Sequence, residues 1–422
     1  MAFLIPQRLL PPNVTDDGGR LIIARGLRGF ADGMVSVLLA SYLSDLGFSA
    51  GQIGVLITGT LIGSAALTLA VGLAGAGMAP KRVLLGASVL MLITAGGFTG
   101  ITSFWPLLLV AVAGTLNPSG GDVSVFLPTE QSLLTTTVPD QGRTALFARY
   151  NLSGTFAAAL GALCAGVPVA IARANDIDLV DAQRVGFVLY GLVAVSVGFI
   201  YTGLSNVGLP RRTSRSPLAK SRDVVLRLSA LFSLDSLGGG FVVQSLLALW
   251  LYNRFDLSVE TAGVIFFVAG LLSAFSQLVS AWLAQRIGLV RTMVYTHIPA
   301  NIFLILTALM PTLPLAIATL LMRMALSQMD VPARQSYVMA IVPPEERAAA
   351  ASVTNVPRSL ASAAAPALSG YLLGLTNFGW PLIIGGLLKI TYDLLLLGQF
   401  ASQRPPEELV TTASGTPASA QR

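Results

Sequence analysis

The chain has 422 residues, of which 54% are hydrophobic and only 11% charged, with a formal charge of +6. A soluble domain carries about 25% charged residues, so a water-soluble enzyme or binding module is excluded and lipid is the expected main solvent. A single cysteine, Cys164, rules out an intramolecular disulfide, and the single histidine, His297, has no carboxylate or cysteine near it in sequence; both read as packing residues, His297 with local hydrogen bonding.

Residues 1–20 contain Pro6, Pro11 and Pro12 and end in Thr15-Asp16-Asp17-Gly18-Gly19. They read as an N-terminal cytoplasmic segment without a signal-peptide cleavage site. Apolar runs of about 20 residues, long enough for a hydrocarbon core of about 30 Å, then follow one another with short connections. Twelve are expected, at about 21–44, 52–76, 82–102, 105–134, 143–171, 185–205, 228–253, 259–284, 290–310, 313–341, 347–374 and 380–401. Backbone polar groups in lipid must be satisfied within the chain, so these are helices. The expected fold class is all-α integral membrane.

The interruption at 206–227 holds Pro210-Arg211-Arg212-Thr213-Ser214-Arg215-Ser216-Pro217, a basic cytoplasmic linker that divides a six-helix bundle at 21–205 from another at 228–401. Residues 402–422 read as a disordered cytoplasmic tail. With both termini in the cytoplasm, Arg8, Arg20, Lys81, Arg82, the linker arginines, Arg286, Arg291, Arg347 and Arg404 fall on that side, and only Arg173, Arg184 and Arg254 fall outside. The basic balance is therefore topological, as the positive-inside rule requires, and no nucleic-acid partner is implied.

The halves repeat one another. Pro128, Gln131, Ser132, Val138, Pro139, Arg143, Ala145, Asn151 and Gly166 recur, in order and at equal spacing, as Pro332, Gln335, Ser336, Val342, Pro343, Arg347, Ala349, Asn355 and Gly370. Asp32 corresponds to Asp235 with a slightly different offset. Internal duplication of this kind builds many secondary transporters.

Two six-helix halves, a basic central loop and a short basic turn between spans 2 and 3 resemble the major facilitator superfamily. In that family the turn carries an aspartate between its first glycine and its basic end. Here Gly72-Leu73-Ala74-Gly75-Ala76-Gly77-Met78-Ala79-Pro80-Lys81-Arg82 keeps the glycine and the basic end, with Ala76 at the acid position; the second half, Ala281 to Arg291, has Gln285 there. The resemblance covers about residues 20–401 and implies twelve transmembrane helices in two pseudo-symmetric six-helix bundles, alternating access, and a central cavity lined by spans 1, 4, 7 and 10. It implies a cytoplasmic latch around Lys81, Arg82, Arg286 and Arg291, with Arg143 and Arg347 on the same face. The glycine- and proline-rich motif of family antiporters has no clean copy in span 5, where Gly154, Gly161 and Gly166 are present but Pro168 is displaced.

Ions inside the spans are the candidate functional residues, because each costs about 2.5–3.5 kcal/mol at the centre of a helix unless partnered or wet. They are Arg25, Arg28 and Asp32; Asp122 and Glu130; Asp235; Arg323, Asp330 and Arg334; Arg358; and Lys389 and Asp393. Helical spacing puts Arg28 with Asp32, Asp330 with Arg334, and Lys389 with Asp393, each pair one turn apart. Arg25 is expected to snorkel to the headgroups. Glu130 and Arg334 occupy equivalent repeat positions with opposite charge, and an inner gate formed by their approach is expected. Asp32 is the leading proton carrier, with Asp122, Asp235 and Asp330 as rivals. Asn117, Gln244, Gln328, Gln131, Gln335, Asn151 and Asn355 are candidate hydrogen-bonding residues for a cargo. The prolines at 128, 139, 332 and 343 are expected to bend or end spans 4 and 10, and Gly238-Gly239-Gly240 to let span 7 flex.

No phosphate loop, metal-ligand cluster or nucleophile constellation is visible, so no enzyme, cofactor, metal or direct use of ATP is expected. The resulting expectation is a secondary active carrier of a small organic solute, proton-coupled and exporting, in the inner membrane, whose partners are the bilayer, the solute and protons, and which works as a monomer. Import of an anionic metabolite through Arg323 and Arg358 is one alternative. A non-transporting membrane sensor or lipid-handling protein on the same scaffold is the other.

Overall fold

The computed structural model describes residues 14–74, 79–119, 125–138, 143–205, 220–343 and 346–401. Among these, sixteen helices follow in chain order: α1 Asp16–Asp45, α2 Ala50–Ala74, α3 Pro80–Gly100, α4 Phe104–Ala113, α5 Phe126–Leu134, α6 Arg143–Cys164, α7 Val167–Ala174, α8 Leu179–Thr202, α9 Arg222–Gly240, α10 Gln244–Phe255, α11 Val259–Ile287, α12 Leu289–Leu309, α13 Leu313–Ser327, α14 Asp330–Ile341, α15 Arg347–Leu375 and α16 Trp380–Phe400. They make twelve spans, because α4/α5, α6/α7, α9/α10 and α13/α14 each share one.

From the sequence, spans 4 and 10 are expected to bend or end at their prolines and span 7 to flex at its glycine triplet; the structure interrupts these three spans, and span 5 as well. The residues at the breaks supply the reason. Pro128 and Pro332 each fall in the first turn of the second segment, α5 and α14, where a missing N–H costs nothing. In span 4, Asn117 Oδ1 accepts from Ser119 N at 3.1 Å and from Ser119 Oγ at 2.6 Å, stabilising a turn. Span 5 breaks at Gly166, with Pro168 near the start of α7. Span 7 breaks directly after the glycine triplet. Eight stretches are apolar and long enough to cross a bilayer by length and composition alone. The other four are α1 and span 10, which hold buried ions, span 4, which is interrupted, and α15, which is rich in alanine and serine.

The chain forms two compact units whose limits do not follow the linker: residues 1–213, 240–271 and 362–381 in the first, and 214–239, 272–361 and 382–422 in the second. In the first unit α1 is the central helix, buried along almost its whole length. It meets α6 through glycines. A Cβ on Gly33 would stand 1.9 Å from the carbonyl oxygen of Ala158, and one on Gly161 would stand 1.9 Å from that of Phe30. Only a residue without Cβ allows this approach, which gives small-residue helix pairs in lipid their dispersion contacts. Phe98 and Phe187 pack against its Tyr42, whose Oη donates to the Phe98 carbonyl at 2.6 Å.

The same unit ties second-half segments to the first half. Ser245, at the start of α10, donates through Oγ to the carbonyls of Ser36 (2.8 Å) and Pro118 (2.9 Å), and Tyr252 Oη donates to Val37 O at 3.0 Å. Ala367 N donates to Thr58 Oγ1 at 2.9 Å beside the close approach of Gly54 and Gly370. Arg173 and Glu260 add an exposed ion pair at 3.1 Å.

The second unit has a core of Val225, Leu228, Phe232, Met293, Val294, Tyr337, Tyr392, Leu396 and Phe400, contributed by α9, α12, α14 and α16. The N-terminus of α9 is held by Glu346, which accepts from the backbone N–H groups of Lys220 (2.9 Å) and Ser221 (3.0 Å) and from the Ser221 hydroxyl. A carboxylate there satisfies orphan N–H groups and complements the helix dipole. Large apolar side chains such as Trp105, Leu109, Phe199, Phe275 and Leu278 face outward, as hydrocarbon contact requires.

Candidate functional site

Each unit contains one buried cluster of charge. In the first, Glu130 of α5 is fully enclosed, at 0% exposure, and Arg28 of α1 at 1%. The Glu130 carboxylate is ion-paired with Arg28 and accepts the hydroxyls of Tyr150 (α6) and Tyr201 (α8), each at 2.5 Å. The Arg28 guanidinium lies 4.3 Å from the ring centre of Phe126. Four helices thus converge on one carboxylate, whose partners are a guanidinium and two hydroxyls.

In the second unit the centre is Asp235 of α9. Its Oδ1 receives Lys389 Nζ of α16 at 2.7 Å, and its Oδ2 receives Arg334 Nη1 of α14 at 3.0 Å. Arg334 also lies 3.3 Å from Asp330, one turn earlier on α14. His297 of α12 stands between two acids: Nδ1 is 2.9 Å from Asp393 Oδ1, and Nε2 is 3.8 Å from Asp235 Oδ1. Asn301 Nδ2 approaches Asp393 Oδ2 at 3.4 Å, and Arg358 Nε of α15 donates to Ser236 Oγ at 2.8 Å.

Several expected pairings are replaced. Arg28 pairs with Glu130 instead of its same-helix neighbour Asp32, which is buried one turn further along and is itself engaged. Lys389 and Asp393 do not neutralise each other, since Lys389 goes to Asp235 and Asp393 to His297. An i,i+4 pair contributes only a few tenths of a kcal/mol, whereas a buried carboxylate left without a partner costs far more, so the cross-helix partners win. His297 hydrogen-bonds Asp393 and faces Asp235, so packing alone does not describe it. Arg25 does not snorkel: it is buried, with its guanidinium 5.7 Å from the Tyr150 ring centre. Glu130 and Arg334 each have a counter-ion inside their own half.

That arrangement has a symmetry of its own. The repeat makes Glu130 and Arg334 equivalent, and each bridges to the first span of its half, to Arg28 on span 1 and to Asp235 on span 7. Polarity is reversed, and the partner on the first span is displaced by one turn, since the repeat counterpart of Asp235 is Asp32.

Lys81 caps α8, donating from Nζ to the carbonyls of Thr202 (2.7 Å) and Leu204 (2.9 Å). Arg82, Arg286 and Arg291 are exposed, and Arg286 lies 4.1 Å over the Trp282 ring. Arg323 Nη1 touches only the sulfur of Met324 at 3.4 Å, and its buried Nε has no hydrogen-bond partner among the described residues. Gln244 opens α10, and Gln328 follows the end of α13; both are half-buried. Asp122, Pro139 and residues 75–78 of the turn motif lie outside the described residues, as do the side chains of Arg143, Arg347, Gln285 and Gln335. Sequence reasoning missed Tyr150, Tyr201, Ser236 and Glu346, whose partners are distant in sequence. The one available signal was that each buried ion requires a partner. No group of three or more His, Cys, Asp or Glu residues able to hold a metal occurs among the described residues.

Residues 21–326 and 228–421 match the description of the Major Facilitator Superfamily. The chain belongs to that family. An uncharacterized membrane protein of Saccharomyces cerevisiae is 26% identical over 411 residues, 89% of this chain and 92% of that protein. Among solved structures, a D-xylose–proton symporter is similar with a TM-score of 0.73 at 14% identity, over 92% of this chain and 98% of that one. The nucleoside transporter NupG gives 0.68 at 14% identity, over 92% and 99%. A bacterial homologue of the human lysosomal transporter Spinster, in an inward-facing and unoccupied conformation, gives 0.67 at 17% identity, over 92% and 95%. At these identities the likeness is one of fold. The superfamily member is a multi-pass membrane protein of twelve spans, and its fold is that of secondary transporters of small solutes.

Proposed function

We propose that this chain is a proton-coupled secondary carrier of a small organic solute that works by alternating access, with outward movement as its direction and both termini in the cytoplasm. The observation that carries this reading is the pair of buried bridges, Arg28–Glu130 and Asp235–Arg334, which join the first and fourth spans within each half. Buried ions in a membrane helix are costly and mark function by default. Placed within a half, they make it a body that can rock without losing its own contacts, which is the movement repeat-built carriers require. Asp32, Asn117, Gln244 and Gln328 are assigned to the solute and proton pathway, and Arg82, Arg286 and Arg291 to the basic face that closes over it. Coupling to protons is supported by three acids, Asp235, Asp330 and Asp393, within one cluster, and a D-xylose–proton symporter shares the fold. The charge asymmetry of the loops supports the orientation.

A second reading has one specific observation in its favour. Arg323 has a buried Nε without a hydrogen-bond partner and makes no ion pair among the described residues, as expected of a cation kept for an anionic cargo. Import of an organic anion would use it together with Arg358.

Ligand-induced thermal stabilisation of the detergent-solubilised protein tests both readings. A metabolite library is screened at acid and at alkaline pH. A chemically coherent set of stabilising solutes is expected, with a pH-dependent response. A set confined to anions, and lost in Arg323→Gln, selects the second reading. Stabilisation by lipids alone contradicts both and selects the lipid-handling alternative.

A further inference from the structure

The second unit contains an arrangement that a static bridge does not need. His297 is buried, and both of its ring nitrogens face carboxylates: Nδ1 lies 2.9 and 3.0 Å from the two oxygens of Asp393, and Nε2 lies 3.8 Å from Asp235 Oδ1. The titratable groups around it come from four helices. Asp235 is on α9; Asp330 and Arg334 are on α14; Lys389, Tyr392 and Asp393 are on α16; and Arg358 on α15 bonds to Ser236 beside Asp235. Lys389 and Arg334 also hold Asp235, at 2.7 and 3.0 Å. His297 is the one partner whose charge changes in the physiological pH range without assistance.

We propose that His297 is the proton-binding residue of the carrier, and that its proton decides whether Asp235 on span 7 is tied to span 9. The inference rests on the proton-coupled reading above and adds the residue that carries the coupling. The doubly protonated imidazole donates to Asp393 from Nδ1 and presents a second N–H to Asp235. The neutral ring has one N–H. Kept on Nδ1 by Asp393, it leaves the Nε2 lone pair facing the Asp235 carboxylate, a repulsive contact. The proton enters and leaves at Nε2, passing to water on whichever side has access, and no bond other than that N–H changes. Loss of the proton removes the tie from span 7 to span 9 and leaves Asp235 with Lys389 and Arg334. Pro299, two residues beyond, removes a helical N–H from α12 and loosens the segment that must respond.

The chain holds one histidine, so full-length protein made with nitrogen-labelled histidine and no added histidine tag gives the signals of a single imidazole. The expected NMR result is one reversible titration seen at both ring nitrogens, whose midpoint shifts by about 1–3 pH units in Asp393→Asn, the size of effect expected from an adjacent charge. In proteoliposomes, His297→Gln is expected to retain exchange of a stabilising solute down its own gradient and to lose accumulation driven by a pH gradient. An imidazole that keeps one protonation state across the physiological range, or a midpoint indifferent to Asp393→Asn, overturns the assignment, and the wild-type titration decides this even if a variant fails to fold. Wild-type protein that exchanges no solute at all removes the transport reading, a failure separate from the NMR result.

Discussion

Replacing Glu130 by leucine should be among the most damaging single changes in the first half, and replacing Arg28 as well should repair much of the damage. Glu130 is fully buried and receives the Arg28 guanidinium and two tyrosine hydroxyls. Glu130→Leu removes the ion-pair partner of buried Arg28 and leaves only Asp32, one turn away, as an acid near it; breaking a buried pair in this way costs about 3–5 kcal/mol. Arg28→Leu strands the carboxylate, yet Tyr150 and Tyr201 continue to hold it, so its cost belongs at the lower end of that range. The double variant removes both ions and leaves an apolar pair near the Phe126 ring; such replacements are often neutral or stabilising. The two changes therefore interact by about 2 kcal/mol or more, against the 0.3–0.5 kcal/mol scatter of independent sites. Tyr150→Phe and Tyr201→Phe each remove one hydrogen bond to a charged group, about 1.5–3 kcal/mol. The assay is equilibrium unfolding of the four proteins in mixed micelles with increasing denaturing detergent. Additive losses in the double variant would refute the reasoning, because they would show that Arg28 and Glu130 do not depend on each other.

Gly33→Val and Gly161→Val should prevent the α1–α6 approach and sharply lower the yield of folded protein, while Gly96→Ala in α3, where a Cβ meets nothing within 4 Å, should be neutral or stabilising by about 1 kcal/mol. Size-exclusion profiles and melting temperatures read both. Glu346→Gln should destabilise the start of α9 by about 1–2 kcal/mol by weakening its capture of two backbone N–H groups, measured by hydrogen exchange of residues 220–226. Arg323→Gln should leave the melting temperature unchanged or raised, since the guanidinium has little to lose, and should raise KM for any anionic cargo. A large drop in stability would show that Arg323 is structural.

Much of this fold was legible in the sequence because lipid imposes it. Span lengths, the internal repeat and the positions of Pro128, Pro332, Gly166 and the Gly238–Gly240 triplet all mark features present in the structure. The Asp330–Arg334 contact, one turn apart on a single helix, was legible for the same local reason. The cross-helix partners were not. Asp393 and His297, Lys389 and Asp235, and Tyr201 and Glu130 are joined by packing, and no spacing rule connects residues so far apart in sequence. Local pairing rules misassigned Lys389 and Asp393 because they carry a few tenths of a kcal/mol, against several for a buried ion left alone. The polarity reversal between Arg28–Glu130 and Asp235–Arg334 was half visible: the repeat exposed the opposite charges at 130 and 334, and only the structure showed where each is satisfied.

The most direct test of the proposed transport is flux into proteoliposomes made with the purified full-length chain, using a solute found by thermal stabilisation and an imposed pH gradient. Solute movement against its own concentration gradient, collapsed by a protonophore and reversed when the pH gradient is reversed, is the expected result. Binding without movement, or movement only down the solute gradient and insensitive to pH, would contradict proton-coupled carriage.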